Sequence, residues 1–421
     1  MEKIVVEGGH PLHGNVRING SKNAALPIMA ACILVNGKSR IKNVPYLTDV
    51  KTLSEILSDL GVKTKRLKDG TIELEVQDES NVTAPYEQVS TMRGSICVLG
   101  PLIGKRGEAK VAEPGGCVIG VRPVDLHIKG LEALGARIIT EKGYIIGSAN
   151  GLRGTEIYLG GPHGSTVTGT CNVMTAAVLA KGKTVIKCAA CEPEVQDLAN
   201  FLNKAGAKIS GIGTSELVIE GVKELHGVEY EIIPDRIEAG TFMIAGAITG
   251  GEITLENVRL DHMTAVVEKL VESGVSVSNV GEKCFVKGND EFRPLTITTL
   301  PYPGMPTDMQ AQFAALLSIA NGTSIITEKI FPNRFIHIAE LNRMGADIHI
   351  EGTSAIVKGV RKLSGAQVMA SDLRASACLV IAGLVAEGTT EIHRLYHLDR
   401  GYEKLEERLS ALGAKISRVE V

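Results

Sequence analysis

Of the eight cysteines in the chain, Cys117 lies in a setting unlike those that sit inside apolar runs. It falls in EPGGCVIGVRPVDLH, where Pro114, Gly115, Gly116 and Gly120 specify a loop rather than a helix or strand. A loop thiol near Arg122 can have a lowered pKa and be reactive; the competing reading is an incidental exposed cysteine. NGSKNAALPIMAA sets Ser21, Lys22 and Asn23 just before an apolar helix. Unsatisfied N–H groups and the positive end of the helix dipole favour an anion there, and a lysine adds full charge. The competing reading is an N-cap serine followed by a solvated lysine. LPYPGMPTDMQAQF sets Asp308 at the mouth of a second such helix, either as its N-cap or as a general base for a substrate hydroxyl. SDLRASACLV and YHLDRGYEK put Asp372–Arg374 and Asp399–Arg400 at two further helix starts, and Arg93, Arg236 and Arg334 recur in similar positions. Each arginine alone reads as a surface or ion-paired residue. Together, at helix N-termini facing one way, they would line a cationic face suited to a phosphorylated substrate.

Other candidates read as structural. Cys188 and Cys191 form one C-x-x-C with no second pair at zinc-site spacing, in Ala-rich surroundings that suggest core. The ten histidines form no H-x-x-x-H cluster, and His127 is expected to pack or to orient its loop. No Walker A phrase and no G-x-G-x-x-G after a strand is present, so neither an ATPase nor a dinucleotide enzyme is supported. A net charge of −3 argues against a partner surface of nucleic acid or membrane. No secretory leader and no membrane-spanning run is expected, and the cysteines inside apolar runs fit a reducing cytoplasm.

The elements that carry these residues repeat. LSEILSDLGVKTK, LEALGARIIT, FLNKAGAKIS, VEKLVESGVSVS, LNRMGADIHI and LSALGAKIS share an amphipathic run, a glycine and an alternating stretch; Gly61, Gly135, Gly206, Gly274, Gly345 and Gly413 lie 74, 71, 68, 71 and 68 residues apart. Interleaved Ala-rich runs end at Gly37, Gly107, Gly182, Gly251, Gly322 and Gly388, spaced 70, 75, 69, 71 and 66 residues. Each unit therefore holds two helices that stop at a glycine able to adopt the left-handed conformation and lead into strands. KDGTIELE, EKGYIIG and IEGTSAIV are hairpin signals. The Ala-rich helices are apolar nearly all round and should be buried, whereas the others should be half-exposed. With 421 residues, two lobes of three repeats are preferred over an extended solenoid.

The phrases GSKNAALP, TMRGSICVLGP, PGGCVIGVRPVDLHIKGLEALGA, EPEVQDLANFL, PDRIEAGTF, PTDMQAQF, NRFIHIAEL and DLRASACLVIAGLVAEGTTEIHRLYHLDRGYEKL closely resemble the enolpyruvyl transferase family, in its UDP-sugar branch. The resemblance spans essentially the whole chain. It implies an α/β (α+β) fold, a two-domain inside-out α/β barrel with three βαβαββ repeats around buried helices in each domain. Residues 1–20 plus 235–421 would form one lobe and 21–234 the other, with the first strand belonging to the C-terminal half. The implied activity is transfer of the enolpyruvyl group of phosphoenolpyruvate to the 3-hydroxyl of UDP-N-acetylglucosamine with release of phosphate. That is the first committed step of peptidoglycan synthesis, carried out in the cytoplasm without a metal or organic cofactor. A monomer or weak homo-oligomer is expected.

By the same resemblance, Lys22, Arg122 and Arg400 bind phosphoenolpyruvate, and Asn23 contacts the reacting centre. Cys117 protonates the methylene carbon and can form a covalent adduct, and Asp308 takes the proton from the sugar hydroxyl. Arg93, Arg122, Pro123, Val124, Asp125, Leu126 and Ile330 contact the nucleotide sugar or its surroundings, and Asp372 and Arg374 support the closed site. One departure is PHGSTVTGTCN at 162–172, where many relatives carry a shorter SVGAT-like phrase; Ser165, Thr168 and Gly169 stand in for the usual nucleotide contacts. The rival readings are the 3-phosphoshikimate enzyme of the same fold, which lacks the cysteine loop, and an inactive UDP-sugar-binding regulatory paralogue. Because position 117 is a thiol, fosfomycin is expected to alkylate it; mass spectrometry that recovers the loop peptide unmodified after treatment contradicts the assignment.

Overall fold

The computed structural model describes residues 2–115 and 124–420, so Cys117, Arg122 and Pro123 lie outside the described residues. Twelve principal helices follow one another: Lys22–Ala31 (α1), Thr48–Asp59 (α2), Leu99–Arg106 (α3), Asp125–Ala133 (α4), Val167–Ala177 (α5), Pro193–Lys204 (α6), Arg236–Ile248 (α7), Thr264–Glu272 (α8), Gln310–Leu317 (α9), His337–Arg343 (α10), Leu373–Val385 (α11) and Leu405–Ala411 (α12). The odd-numbered helices are the Ala-rich ones. They are apolar on every side, so no face can meet water at low cost, and they are accordingly buried along most of their length. The even-numbered helices bury one stripe; in α2 it is Asp49, Val50, Leu53, Ile56 and Leu57.

Each buried helix leads into a strand, each outer helix into a second strand, and a hairpin returns to a third between them. Six four-stranded sheets result, all with one order: an edge strand parallel to its neighbour, then two antiparallel pairings. In one of them Glu229–Glu231 runs parallel to Lys38–Lys42, which pairs antiparallel with Ile72–Val76, itself paired with Val62–Arg66.

The described residues fall into two compact units, 2–19 with 234–420, and 20–115 with 124–233. Each holds three repeats around its own apolar core. In the first unit the strand Glu2–Glu7 lies between Thr389–His393 and Lys415–Glu420, antiparallel to both. The N-terminal segment thus supplies the hairpin strand that the last repeat lacks.

The glycines that end the outer helices, Gly61, Gly135, Gly206, Gly274, Gly345 and Gly413, all have φ between 76° and 109°, as helix stops of this kind require. In the second series the fourth repeat departs from the sequence reading. Gly250 takes the left-handed turn, and Gly251 is instead a close approach, where a Cβ would lie 2.1 Å from the Leu12 carbonyl oxygen. Cys188 and Cys191, read as core, are only partly buried, whereas Cys32, Cys97, Cys171, Cys284 and Cys378 are buried thiols. No helix among the described residues is long and apolar enough to cross a membrane.

Helices α3 and α5 pack closely because Gly100 has no side chain; a Cβ there would sit 2.2 Å from the Asn172 carbonyl oxygen. Gly135 has open space around it and only a backbone reason to be glycine. Gly100→Ala is therefore expected to destabilise by about 3 kcal/mol and Gly135→Ala by about 1 kcal/mol. Calorimetry that ranks them the other way contradicts this packing account.

Candidate active site

In the unit built from residues 20–233, Ser21 caps α1, its hydroxyl accepting from the Ala24 N–H. Lys22 is not solvated. It is 7% exposed, and its Nζ lies 3.1 Å from Asp49 Oδ2, on the first turn of α2. A buried ammonium needs such a partner, and this one fixes where the charge sits. Asn23 beside it is exposed. Arg93 opens a 3-10 turn, Arg93–Val98, that runs into α3, and it donates to the Pro114 carbonyl at 3.5 Å, at the entrance to the Cys117 segment. On the far side of that segment Val124 and Leu126 are half-buried and Asp125 is exposed at the start of α4. His127 is 2% exposed and ties α4 to α5 through Asn172 and Thr168. Burial, with the Arg93 charge adding to it, pushes its pKa down to about 3.

In the other unit Asp308 is not a helix cap. It lies in the 3-10 turn Thr307–Met309, and no side chain caps α9. Its Oδ1 accepts from Arg334 Nη1 at 2.7 Å and its Oδ2 from Arg374 Nη2 at 3.0 Å. Both arginines are buried, at 7% and 2% exposure, while Asp308 is half-buried. Burial acts to lower the Arg334 pKa, but the Asp308 and Asp372 carboxylates outweigh it, so the value lies above the ordinary one. A carboxylate gripped through both oxygens is held in one orientation, which suits a group that must meet a single hydroxyl. Glu328, fully buried, stabilises the surroundings by accepting from Thr299 and Thr307 Oγ1 and from the Ile330 and Phe331 N–H groups. Half-buried Ile330 is thereby tied to the Asp308 turn.

Asp372 does cap α11, accepting from the Arg374 and Ala375 N–H groups at 2.8 and 3.1 Å. Arg400 does not open a helix. It ends the 3-10 turn Leu395–Arg400, and Asp399 is engaged by Arg418. Tyr402 anchors the segment just after Arg400, its buried hydroxyl meeting Thr241 Oγ1 at 2.9 Å and Gln312 Nε2 at 3.3 Å. Arg236 is the first residue of α7, stacked over Tyr302 at 5.5 Å. No group of three or more metal-ligating side chains occurs among the described residues.

The profile of the family described as EPSP synthase (3-phosphoshikimate 1-carboxyvinyltransferase) matches residues 6–409. The UDP-N-acetylglucosamine 1-carboxyvinyltransferase of Methylacidiphilum infernorum is 55% identical over 419 residues, covering 100% of this chain and 99% of its own. A protein of Carboxydothermus hydrogenoformans, UDP-N-acetylglucosamine 1-carboxyvinyltransferase 2, is 53% identical over 421 residues, with both chains fully covered. The chain belongs to this carboxyvinyltransferase family. The enolpyruvyl transferase NikO of Streptomyces tendae superposes with a TM-score of 0.91 at 24% identity, over 100% of this chain and 99% of its own. An EPSP synthase of Acinetobacter baumannii superposes with 0.77 at 19% identity, with both chains fully covered. These two likenesses establish the enolpyruvyl transferase fold, in which three-repeat units enclose their helices.

Within that family frame, sequence reasoning missed Asp49 and Glu328, and it read Arg334 without its clasp on Asp308. Asp49 resembles any acidic residue in the first turn of an amphipathic helix. Glu328 carried a usable signal, since a lone carboxylate inside SIITEKIF must be either exposed or heavily hydrogen-bonded.

His127 is neutral when folded but takes up a proton near its ordinary value of 6.5 when unfolded. Its contribution to stability is therefore complete above pH 6.5 and is lost as pH falls towards 3. His127→Asn is expected to flatten the pH dependence of unfolding free energy by about 1.4 kcal/mol per pH unit in that window. Denaturant titrations at pH 6 and 4 with identical slopes for both proteins contradict this.

Proposed function

We propose that this chain transfers the enolpyruvyl group of phosphoenolpyruvate to the 3-hydroxyl of UDP-N-acetylglucosamine, releasing phosphate, in the first committed step of peptidoglycan synthesis. The observation that carries this reading is end-to-end identity of 52–55% to four relatives bearing that activity in their names. The two units are the lobes of the enzyme.

Asp308 accepts the proton of the sugar hydroxyl as its oxygen bonds to C2 of phosphoenolpyruvate. The Cys117 thiol donates a proton to C3, which becomes a methyl group and leaves a tetrahedral adduct that still carries phosphate. Loss of a proton from that methyl group and departure of phosphate restore the double bond and give the enolpyruvyl ether. Lys22, Arg122 and Arg400 bind the phosphate and carboxylate, and they stabilise the leaving group as its charge grows. Asn23 contacts the reacting centre. Arg93, Pro123, Val124, Asp125, Leu126 and Ile330 serve the nucleotide sugar, while Asp372 and Arg374 hold the Asp308 region in its working form. The buried pair Lys22–Asp49 and the clasp of Arg334 and Arg374 on Asp308 support these roles, because both fix a reactive group by charge.

Pure protein given UDP-N-acetylglucosamine and phosphoenolpyruvate should release phosphate, and should release none when shikimate 3-phosphate replaces the sugar nucleotide. Asp308→Asn should cut kcat by about 10²–10⁴ while leaving the Kd for UDP-N-acetylglucosamine within about three-fold. Wild-type turnover in that variant removes the base role.

A further inference from the structure

One guanidinium has every one of its donors engaged. Arg418 lies on the strand Lys415–Glu420, which pairs with Glu2–Glu7. Its Nη2 and Nη1 donate side by side to Asp399 Oδ1 and Oδ2, at 2.6 and 3.0 Å. Nε donates to Glu406 Oε1 at 2.7 Å, and the second hydrogen of Nη2 turns to Glu406 Oε2 at 3.4 Å. The second hydrogen of Nη1 goes to Glu2 Oε2 at 3.0 Å. Five N–H groups thus meet three carboxylates, which a planar fork can do and an ammonium cannot.

Asp399 directly precedes Arg400 in the 3-10 turn Leu395–Arg400. On the other side Tyr402 is fixed in the core by Thr241 and Gln312. The Arg400 backbone is therefore pinned at the residue before it and at the second residue after it. A long cationic side chain on a loose backbone loses much freedom when it binds an anion, and one on a pinned backbone loses less.

The repeat supplies an internal comparison. Arg418 stands five residues after the stop glycine Gly413, and Arg66 stands five after Gly61. Arg66 grips the segment that leads into the outer helix of its own repeat. It donates to the Val44 and Pro45 carbonyls at 2.9 and 3.0 Å, just ahead of α2 and its Asp49. The other four repeats carry Thr140, Gly211, Asn279 and Ile350 at this position, none with a guanidinium. Arginine occurs there only in the two repeats whose gripped segment leads to a group assigned to phosphoenolpyruvate or to its partner: Arg400 in one, and in the other Asp49, which holds Lys22. A plain surface ion pair has no reason to follow that pattern.

We propose that Arg418 is a positioning residue of the phosphoenolpyruvate site, holding Arg400 in place through its two-pronged grip on Asp399. The assignment rests on the reading above in which Arg400 binds phosphoenolpyruvate. It asks nothing of the sugar nucleotide, so the two substrates should respond differently. Asp399 separates position from field, because the two pull in opposite directions. A carboxylate that acted only by its charge would repel a nearby anion, and neutralising it would tighten phosphoenolpyruvate binding. A carboxylate that acts as a handle would, once neutralised, loosen Arg400 and weaken that binding.

The test measures kcat, the KM for phosphoenolpyruvate, the Kd of UDP-N-acetylglucosamine by calorimetry and the thermal midpoint in three variants. Asp399→Asn should raise the KM for phosphoenolpyruvate about ten-fold, and Arg418→Lys, which keeps a charge beside buried Glu406, should do the same. The double variant should also stay near about ten-fold rather than reach about a hundred-fold, because both changes break one interaction. The Kd for UDP-N-acetylglucosamine should stay within about two-fold throughout. A KM for phosphoenolpyruvate that is unchanged or lower in Asp399→Asn overturns the proposal. So does a double variant in which the effects multiply, and so does a weakening of both substrates together with a fall in the thermal midpoint, since that marks a purely structural role. A wild-type protein that does not turn over the two substrates overturns the functional reading and this proposal with it; a wild type that turns over normally while both single variants match it overturns the positioning role alone.

Discussion

A helix that is apolar on all sides has no face to give to water, and each buried helix in this chain is of that kind. Such a helix must be enclosed, and sheets with one polar face are the cheapest enclosure the same repeat can build. The βαβαββ unit follows from this, as does its recurrence, because one unit cannot bury its own helix. The constraint also dictates where chemistry can sit. Charged side chains of these helices sit at their ends, and the residues of interest lie there: Lys22 beside Ser21 at α1, Asp308 before α9, Asp372 and Arg374 at α11.

At these ends the protein fixes charge with charge. Lys22 is held by Asp49 and Asp308 by two buried arginines, so the fold itself orients these charged groups. Taking such ions out of water is costly, and that cost is offset only when each is paired and hydrogen-bonded. Glu328, with four donors converging on it, meets the same requirement one layer further in. The hydrogen bonds of buried Asn172 to Gly100, Ile96 and His127 are the neutral counterpart, satisfying polar groups inside the unit without charge.

The parts that were legible in the sequence are those governed by short-range rules. Periodicity gave both classes of helix, and the stop glycines Gly61 and Gly413 take the left-handed conformation because only a residue without a Cβ does so at low cost. The placement of Asp372 at a helix start was equally local. Asp308 was not, because its partners Arg334 and Arg374 are 26 and 66 residues away and no spacing rule joins them. Whether Lys22 was an anion-binding or a solvated lysine stayed open in the pattern for the same reason, since nothing nearby announces Asp49. The exchange between Gly250 and Gly251 depended on how near Leu12 comes, a contact between distant segments. Family resemblance supplied the expected roles of these residues, which pattern alone left between cap, ion pair and catalyst.

The position of the strand Glu2–Glu7, between Thr389–His393 and Lys415–Glu420, has a consequence for biosynthesis. The unit formed by residues 20–233 has all its strands as soon as that stretch has left the ribosome. The other unit cannot close its last sheet until residue 420 emerges, about 20–80 s after the first strand at ordinary elongation rates. Until Thr389–His393 emerges the opening strand carries both edges unpaired, and one edge stays open until Lys415–Glu420 follows, a state in which strands are prone to pair wrongly. Translation therefore yields one finished half that waits, tethered, for a partner whose first piece was made before it.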